Sequence, residues 1–111
     1  MEKIEKTLRY IKLFNLYGAL LSCTQQEILK DYYFADLSIS EISENRGISR
    51  AAVEDALSKG SAKLDSIEES LKILDKKALV LEKVRKLQVV TDEQERAQIL
   101  NELLEELNDG I

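Results

Sequence analysis

No proline interrupts the 111 residues of this chain, and glycine occurs only at positions 18, 47, 60 and 110. These are the two strongest helix breakers: proline lacks the amide proton and collides with the preceding turn, while glycine loses the most backbone entropy on ordering. With both scarce and Leu, Glu, Lys, Ile and Ala abundant, the composition predicts an all-α fold. The length predicts one domain over 1–111.

Helix starts are marked by side chains that satisfy the unpaired amides of a first turn. Thr24 followed by Glu27 reads as a capping box, with Cys23 placed to staple onto Ile28. Ser38 followed by Glu41 repeats it, with Leu37 against Ile42, and Ser49 caps once more with Ile48 opposite Val53. Together they predict helices near 24–34, 39–45 and 50–65, after a first helix with apolar positions at Ile4, Leu8, Ile11, Phe14 or Leu13, Tyr17 and Leu20. Gly18, near the end of that pattern, reads as a close-packing position. Leu64, Ile67, Leu71, Leu74, Ala78 and Leu81 then recur every three or four residues, predicting one long helix over 64–87. A second line, Ile73, Val80 and Leu87, runs along another flank. Thr91 to Gln94 reads as a further capping box opening a final packing helix, rich in leucine and acidic toward its end.

The central stretch LSISEISENRGISRAAVEDALSKG, residues 37–60, has the layout of a helix-turn-helix. Ile39, Ile42 and the small Ser43 face inward from a short first helix, and Gly47 is free to end it in the left-handed conformation. Ile48, Val53, Ala56 and Leu57 hold the second helix. Residues 21–66 form the predicted core of this motif, and 67–111 a helical extension suited to dimerisation.

The candidate nucleic-acid contacts are Ser49, Arg50, Ala51, Glu54, Lys59 and Lys63 on the second helix, together with Arg46. Arg50 stands near the helix start, where such a side chain reads a guanine edge or holds a phosphate, while Lys59 and Lys63 suit phosphates further along. Glu54 and Asp55 sit among them and repel a phosphate backbone. Arg50 and Lys59 serve equally well as a solvated helix surface. The charge total, 16 basic against 21 acidic residues for a net of -5, gives no bulk attraction to nucleic acid. Residues 36–66 hold four basic and six acidic side chains, whereas 1–20 hold four basic and two acidic.

Histidine is absent and cysteine occurs once, at Cys23, so the chain lacks the usual base for an activated nucleophile. Cys23 reads as an inert, half-buried thiol. Glu68 with Glu69, and Glu105 with Glu106, are adjacent in sequence and diverge on a helix, which suits solvated charges better than an acid–base pair. No phosphate-loop pattern or metal-ligand spacing occurs. The expectation is a non-enzyme without cofactor or metal. No apolar run approaches the roughly 20 residues that span a bilayer, and the charged start MEKIEKTLRY is unlike a signal peptide, so a cytoplasmic location is expected. Tyr10, Tyr17, Tyr32 and Tyr33 read as the edge of an amphipathic core.

The run SCTQQEILKDYYFADLSISEISENRGISRAAVEDALSKGSAKLDSIEESL resembles the YlxM-like family of small bacterial helix-turn-helix proteins. These are in turn similar to region 4 of sigma-70-type transcription factors, within the winged-helix-like group of three-helical DNA- and RNA-binding folds. Thr24, Gln25, the joint Tyr32, Tyr33, Asp36, Leu37 and Ser38, and Ile42, Gly47, Ser49, Arg50, Ala52, Val53 and Asp55 carry the likeness. Ala51 stands where a glutamine usually precedes the Ala-Val pair, and residues 57–60 are less basic than in relatives. The resemblance implies a regulatory protein associated with the signal recognition particle pathway, with RNA or protein of that particle as partner. The alternative is a dimeric, sequence-specific DNA-binding transcriptional regulator. In either case the generous apolar surface of 64–107 favours a homodimer, although a monomer folding its own helices around the stripe also satisfies the pattern.

Overall fold

Six helices and one 3-10 turn at Gly18–Leu20 make up all the regular structure that a computed structural model describes for residues 2–109. The helices are α1 (Glu2–Tyr17), α2 (Cys23–Tyr33), α3 (Ile39–Arg46), α4 (Arg50–Leu71), α5 (Ile73–Val89) and α6 (Glu93–Asn108). The chain divides between Leu71 and Lys72 into two compact units.

In the first unit, α1, α2 and α3 all pack on α4. Leu13, Ile28, Leu29, Ile42, Val53 and Leu64 lie fully inside, and each such side chain contributes roughly 1.5–3 kcal/mol over an exposed one. The approach of α2 to α4 depends on a missing side chain. A Cβ on Gly60 would come within 2.8 Å of Leu29 Cδ1, so only glycine seats that leucine without a shift.

Two tyrosines fasten α1 to the same helix. Tyr17 donates to Glu68 Oε1 at 2.7 Å, and Tyr10 donates to Asp65 Oδ2 at 2.6 Å beside a 3.5 Å contact from Arg9 to Asp65. Glu68 is therefore no solvated charge. It lies one turn beyond Leu64 on the inner face of α4 and is buried, while Glu69 is exposed.

Three boundaries differ from those read in the sequence. Helix α2 is capped by Ser22, which exchanges hydrogen bonds with Gln25, and not by Thr24; Cys23 is consequently an exposed first-turn residue. The buried Leu21 anchors the chain just before this cap, and Gln26 Nε2 donates to its carbonyl. Second, the long helix expected over 64–87 is two helices, because Lys72 adopts φ 55 and ψ 29. That left-handed conformation costs a side-chain-bearing residue about 1–2 kcal/mol, and it interrupts the helical register that a continuous stripe requires. Third, Asp92 caps α6 by accepting from Glu95 N, one residue later than the Thr91 cap.

The second unit is a hairpin of α5 and α6. Lys83 bridges to Glu106 at 2.8 Å and Glu102 at 3.5 Å, and Arg96 donates to the carbonyls of Leu87 and Val90. The line Ile73, Val80 and Leu87 is half-buried, and Leu103 is the one buried hydrophobic side chain of this unit among the described residues.

The Tyr10–Asp65 bond gives the first unit a pH signature. Chiefly through that hydrogen bond, and then through burial, the phenol is pushed up to about 12 from its ordinary 10.0. The folded protein thus holds this proton more tightly than the unfolded chain, and the stabilisation is present below pH 10 and lost as pH rises toward about 12. Tyr33, raised by burial, acts in the same direction. Urea unfolding followed across this alkaline range should show declining stability, with a shallower decline in Tyr10→Phe.

Candidate functional site

The joint between α3 and α4 is held by local hydrogen bonds at both ends of a short helix. At its start, Ser38 Oγ accepts from Glu41 N and Ser38 N donates to Glu41 Oε1, each at 3.1 Å. The backbone bond from Ser38 holds the Glu41 carboxyl below its usual range. At its end, Gly47 takes φ 65 and ψ 35, and both Gly47 N and Ile48 N reach back to Ser43 O. Ser43 Oγ donates to Ile48 O, which draws the turn closed. Ser49 then caps α4 by accepting from Ala52 N at 3.0 Å. Beneath the joint Ile28, Ile42, Val53 and Ala56 form a buried cluster, with Tyr32, Leu37, Ile39, Ile48 and Leu57 packed around it. This is the helix-turn-helix expected from the sequence.

The structure separates the candidate contacts into two groups. Ser49, Arg50, Ala51, Glu54, Lys59 and Lys63 all lie exposed along α4. From Ser49 to Lys63 this rod runs about 21 Å at 1.5 Å per residue. Arg46 belongs elsewhere: its guanidinium turns to α2, meeting Asp31 at 2.6 Å and Glu27 at 3.0 Å. It clamps α3 to α2 and does not extend the α4 surface.

The charges that remain on the α4 surface are partly occupied. Arg50 Nη2 donates to Ser40 Oγ on α3, and Lys59 lies 3.2 Å from Asp55 one turn earlier. Three basic residues, Arg50, Lys59 and Lys63, face two acidic ones, Glu54 and Asp55. Such a balance supplies little of the field that concentrates a polyanion. The site can present a rigid, mixed-charge helix face, with Arg50 and Lys63 as its cations outside internal ion pairs among the described residues.

Beside this face lies an open groove of about 430 Å³ whose walls include Lys6, Tyr10, Tyr32, Tyr33, Ser58 and Asp65. Its aromatics are engaged with one another: Tyr10 stacks on Tyr33 at 5.6 Å, and Tyr32 meets Tyr33 edge-on at 5.0 Å. All three are half-buried, the core-edge placement expected of them. Among the described residues, no group of three or more His, Cys, Asp and Glu is placed to hold a metal, and no helix is long and apolar enough to cross a membrane. The sequence reading gave Asp31 no role and Glu27 only that of a capping residue, whereas both are partners of Arg46; the hint available was an arginine ending α3 within reach of acidic residues on α2.

Residues 4–85 match the family described as "Putative helix-turn-helix protein, YlxM / p13 like". The UPF0122 protein YlxM of Bacillus subtilis is 35% identical over 108 residues, covering 95% of this chain and 98% of that relative. The UPF0122 proteins of Halalkalibacterium halodurans and Bacillus licheniformis are 36% and 37% identical over 105 and 108 residues, each covering 95% of this chain and 96% and 98% of their own lengths.

Two substitutions test the joint. Alanine at Gly47 meets no neighbour within 4 Å, so its cost is conformational alone; Gly47→Ala should lower stability by about 1–2 kcal/mol. Arg46→Ala, which removes two partly exposed ion pairs, should lower it by up to about 1 kcal/mol. Equilibrium urea unfolding measures both.

Proposed function

The chain belongs to the UPF0122 family of YlxM/p13-like helix-turn-helix proteins, and we propose that it is a non-catalytic adaptor or regulator in the signal recognition particle pathway. In this reading the exposed face of α4 docks on a protein of that pathway in the cytoplasm, and a second copy of the chain is among its partners. One observation favours protein over nucleic acid: three of the motif's four cations are engaged with other residues of the motif and α2, and Lys63 is the fourth. Arg46 is committed to α2, Arg50 to Ser40 and Lys59 to Asp55, while Glu54 and Asp55 stand exposed between them. A phosphate surface would have to break those contacts and lie against two carboxylates, whereas a protein surface of mixed charge complements them. The pathway assignment rests on the family resemblance carried by residues 22–71.

The second reading, a dimeric sequence-specific DNA-binding regulator, is favoured by one feature. Ser49 and Arg50 occupy the start of a capped helix whose outer side is open, the position from which recognition helices read base edges.

Capture of the tagged chain from its own cytoplasm, with and without nuclease, separates the two. The adaptor reading expects the targeting GTPase to be retained after nuclease and no saturable binding to duplex DNA. Recovery of one DNA segment, with salt-sensitive binding weakened in Arg50→Ala, would replace it. A bidentate base contact is worth about 1–3 kcal/mol of discrimination, enough to be plain in a titration.

A further inference from the structure

The α5–α6 hairpin leaves more apolar surface open than it closes. Among the described residues Leu103 is its one buried hydrophobic side chain, while Leu81, Val84, Leu100, Leu104 and Leu107 remain 40% to 59% exposed. These positions are ordered. On α6, Ala97, Leu100, Leu104 and Leu107 are spaced three, four and three residues apart, the a/d pattern of a helix seam, and all four are exposed. On α5, Ala78 and Leu81 form a matching line that Arg85 continues four residues on.

The hairpin's internal contacts fix which way these lines point. Lys83 and Leu87 mark the α5 side that meets α6, through Glu102, Glu106 and Arg96. At about 100° per residue, Val84 lies next to that side and Leu81 beyond it. On α6, Leu103 lies next to the internal side, with Leu100 and Leu104 beyond. Because the two helices run antiparallel, the same angular order on each turns Leu81 and Val84 of α5 and Leu100 and Leu107 of α6 to one face of the hairpin, with Arg85 and Leu104 at its outer edges.

We propose that this face binds the same face of a second copy of the chain, forming a four-helix bundle in which α6 of each copy lies antiparallel to α5 of the other. Three observations select a second copy. First, the charges are complementary within the unit: α5 carries five basic and two acidic residues, and α6 one basic and five acidic. A two-fold axis along the bundle makes every neighbouring pair one α5 and one α6, keeping the two acidic helices on a diagonal. Second, this arrangement sets Arg85 of one copy at the end of α5 that faces Glu93 at the start of the other copy's α6. Neither residue has an ion-pair partner within the chain among the described residues. Third, two helices side by side, each about 10 Å across and about 24 Å long, offer a face of the same order as the roughly 800 Å² that each partner buries in a standard stable interface.

The test uses the full chain in sedimentation equilibrium. The wild type should sediment at twice its 12.6 kDa. Leu100→Lys with Leu107→Lys, both at exposed positions, should raise the dimer Kd by about 30-fold or more while the far-ultraviolet helical signal stays unchanged. Arg85→Glu alone should weaken the dimer, and Arg85→Glu with Glu93→Arg should restore it. A wild type that remains monomeric at its highest soluble concentration overturns the proposal. So does a double-lysine variant that dimerises as before, or a charge exchange that fails to restore association. This proposal rests on the second copy named in the proposed function; since α4 has no part in this face, a monomeric result removes that partner and leaves the docking of α4 on a pathway protein standing.

Discussion

The contact on which the first unit depends is the insertion of Ile42 between Ile28 and Val53, where α3 is too short to hold itself. Eight residues are two turns, far below the length at which an isolated helix persists in water. Helix α3 exists because its one fully buried side chain completes a cluster shared by α2 and α4, and because Ser38 and Gly47 satisfy its ends. Removing Ile42 would leave Val53 and Ile28 facing a void, and the α3–α4 turn would lose the contact that sets its angle. The orientation of the exposed α4 surface is therefore set from below, by packing, and only secondarily by the turn.

That construction has a consequence for recognition. Holding a short helix against two others takes polar fasteners as well as apolar ones, and here the fasteners are the residues a nucleic-acid surface would use. Arg46 supplies two contacts to α2, and Arg50 reaches back across the turn to Ser40. The Arg50 N–H that donates to Ser40 is not available to a base edge, while the other four donors of that guanidinium are. A helix-turn-helix is present, and three of its four cations make contacts within the chain. This separation of fold from activity is the ordinary situation for a helix-turn-helix corner.

How legible this was in the sequence depended on whether the signal was local. Ser38 with Glu41, Gly47, and Ser49 are each decided within four residues, and the structure uses all of them as caps or turn. The start of α2 was misplaced: the sequence reading took Thr24 with Glu27 as the capping box, whereas Ser22 with Gln25 forms it two residues earlier, directly after the buried Leu21. Lys72 carried no signal at all, since nothing in Leu71-Lys72-Ile73 favours a left-handed residue and the apolar stripe continues through it. Glu68 was misread for the opposite reason: its partner Tyr17 lies 51 positions away, and a buried carboxylate is invisible until that tyrosine is placed beside it. Among the candidate site residues, the exposed row on α4 follows from helical period, whereas the turning of Arg46 toward α2 does not.

The break at Lys72 also explains why the two parts of the chain differ so much in packing. Upstream of it the stripe residue Leu64 lies inside the first unit; downstream, Ala78 and Leu81 continue the stripe in sequence but lie exposed. An unbroken helix would have kept all of these residues on one side and demanded a single long partner. With the left-handed residue between them, Leu64 is buried in the first unit while Leu71 is half exposed, and the second half belongs to a hairpin described over residues 72–109. Chains near that size seldom bury enough apolar surface to be stable without a metal, disulfide or association. One strained backbone residue thus separates a unit with a buried core from a hairpin with, among the described residues, a single buried hydrophobic side chain and seven of the twelve exposed large hydrophobic residues.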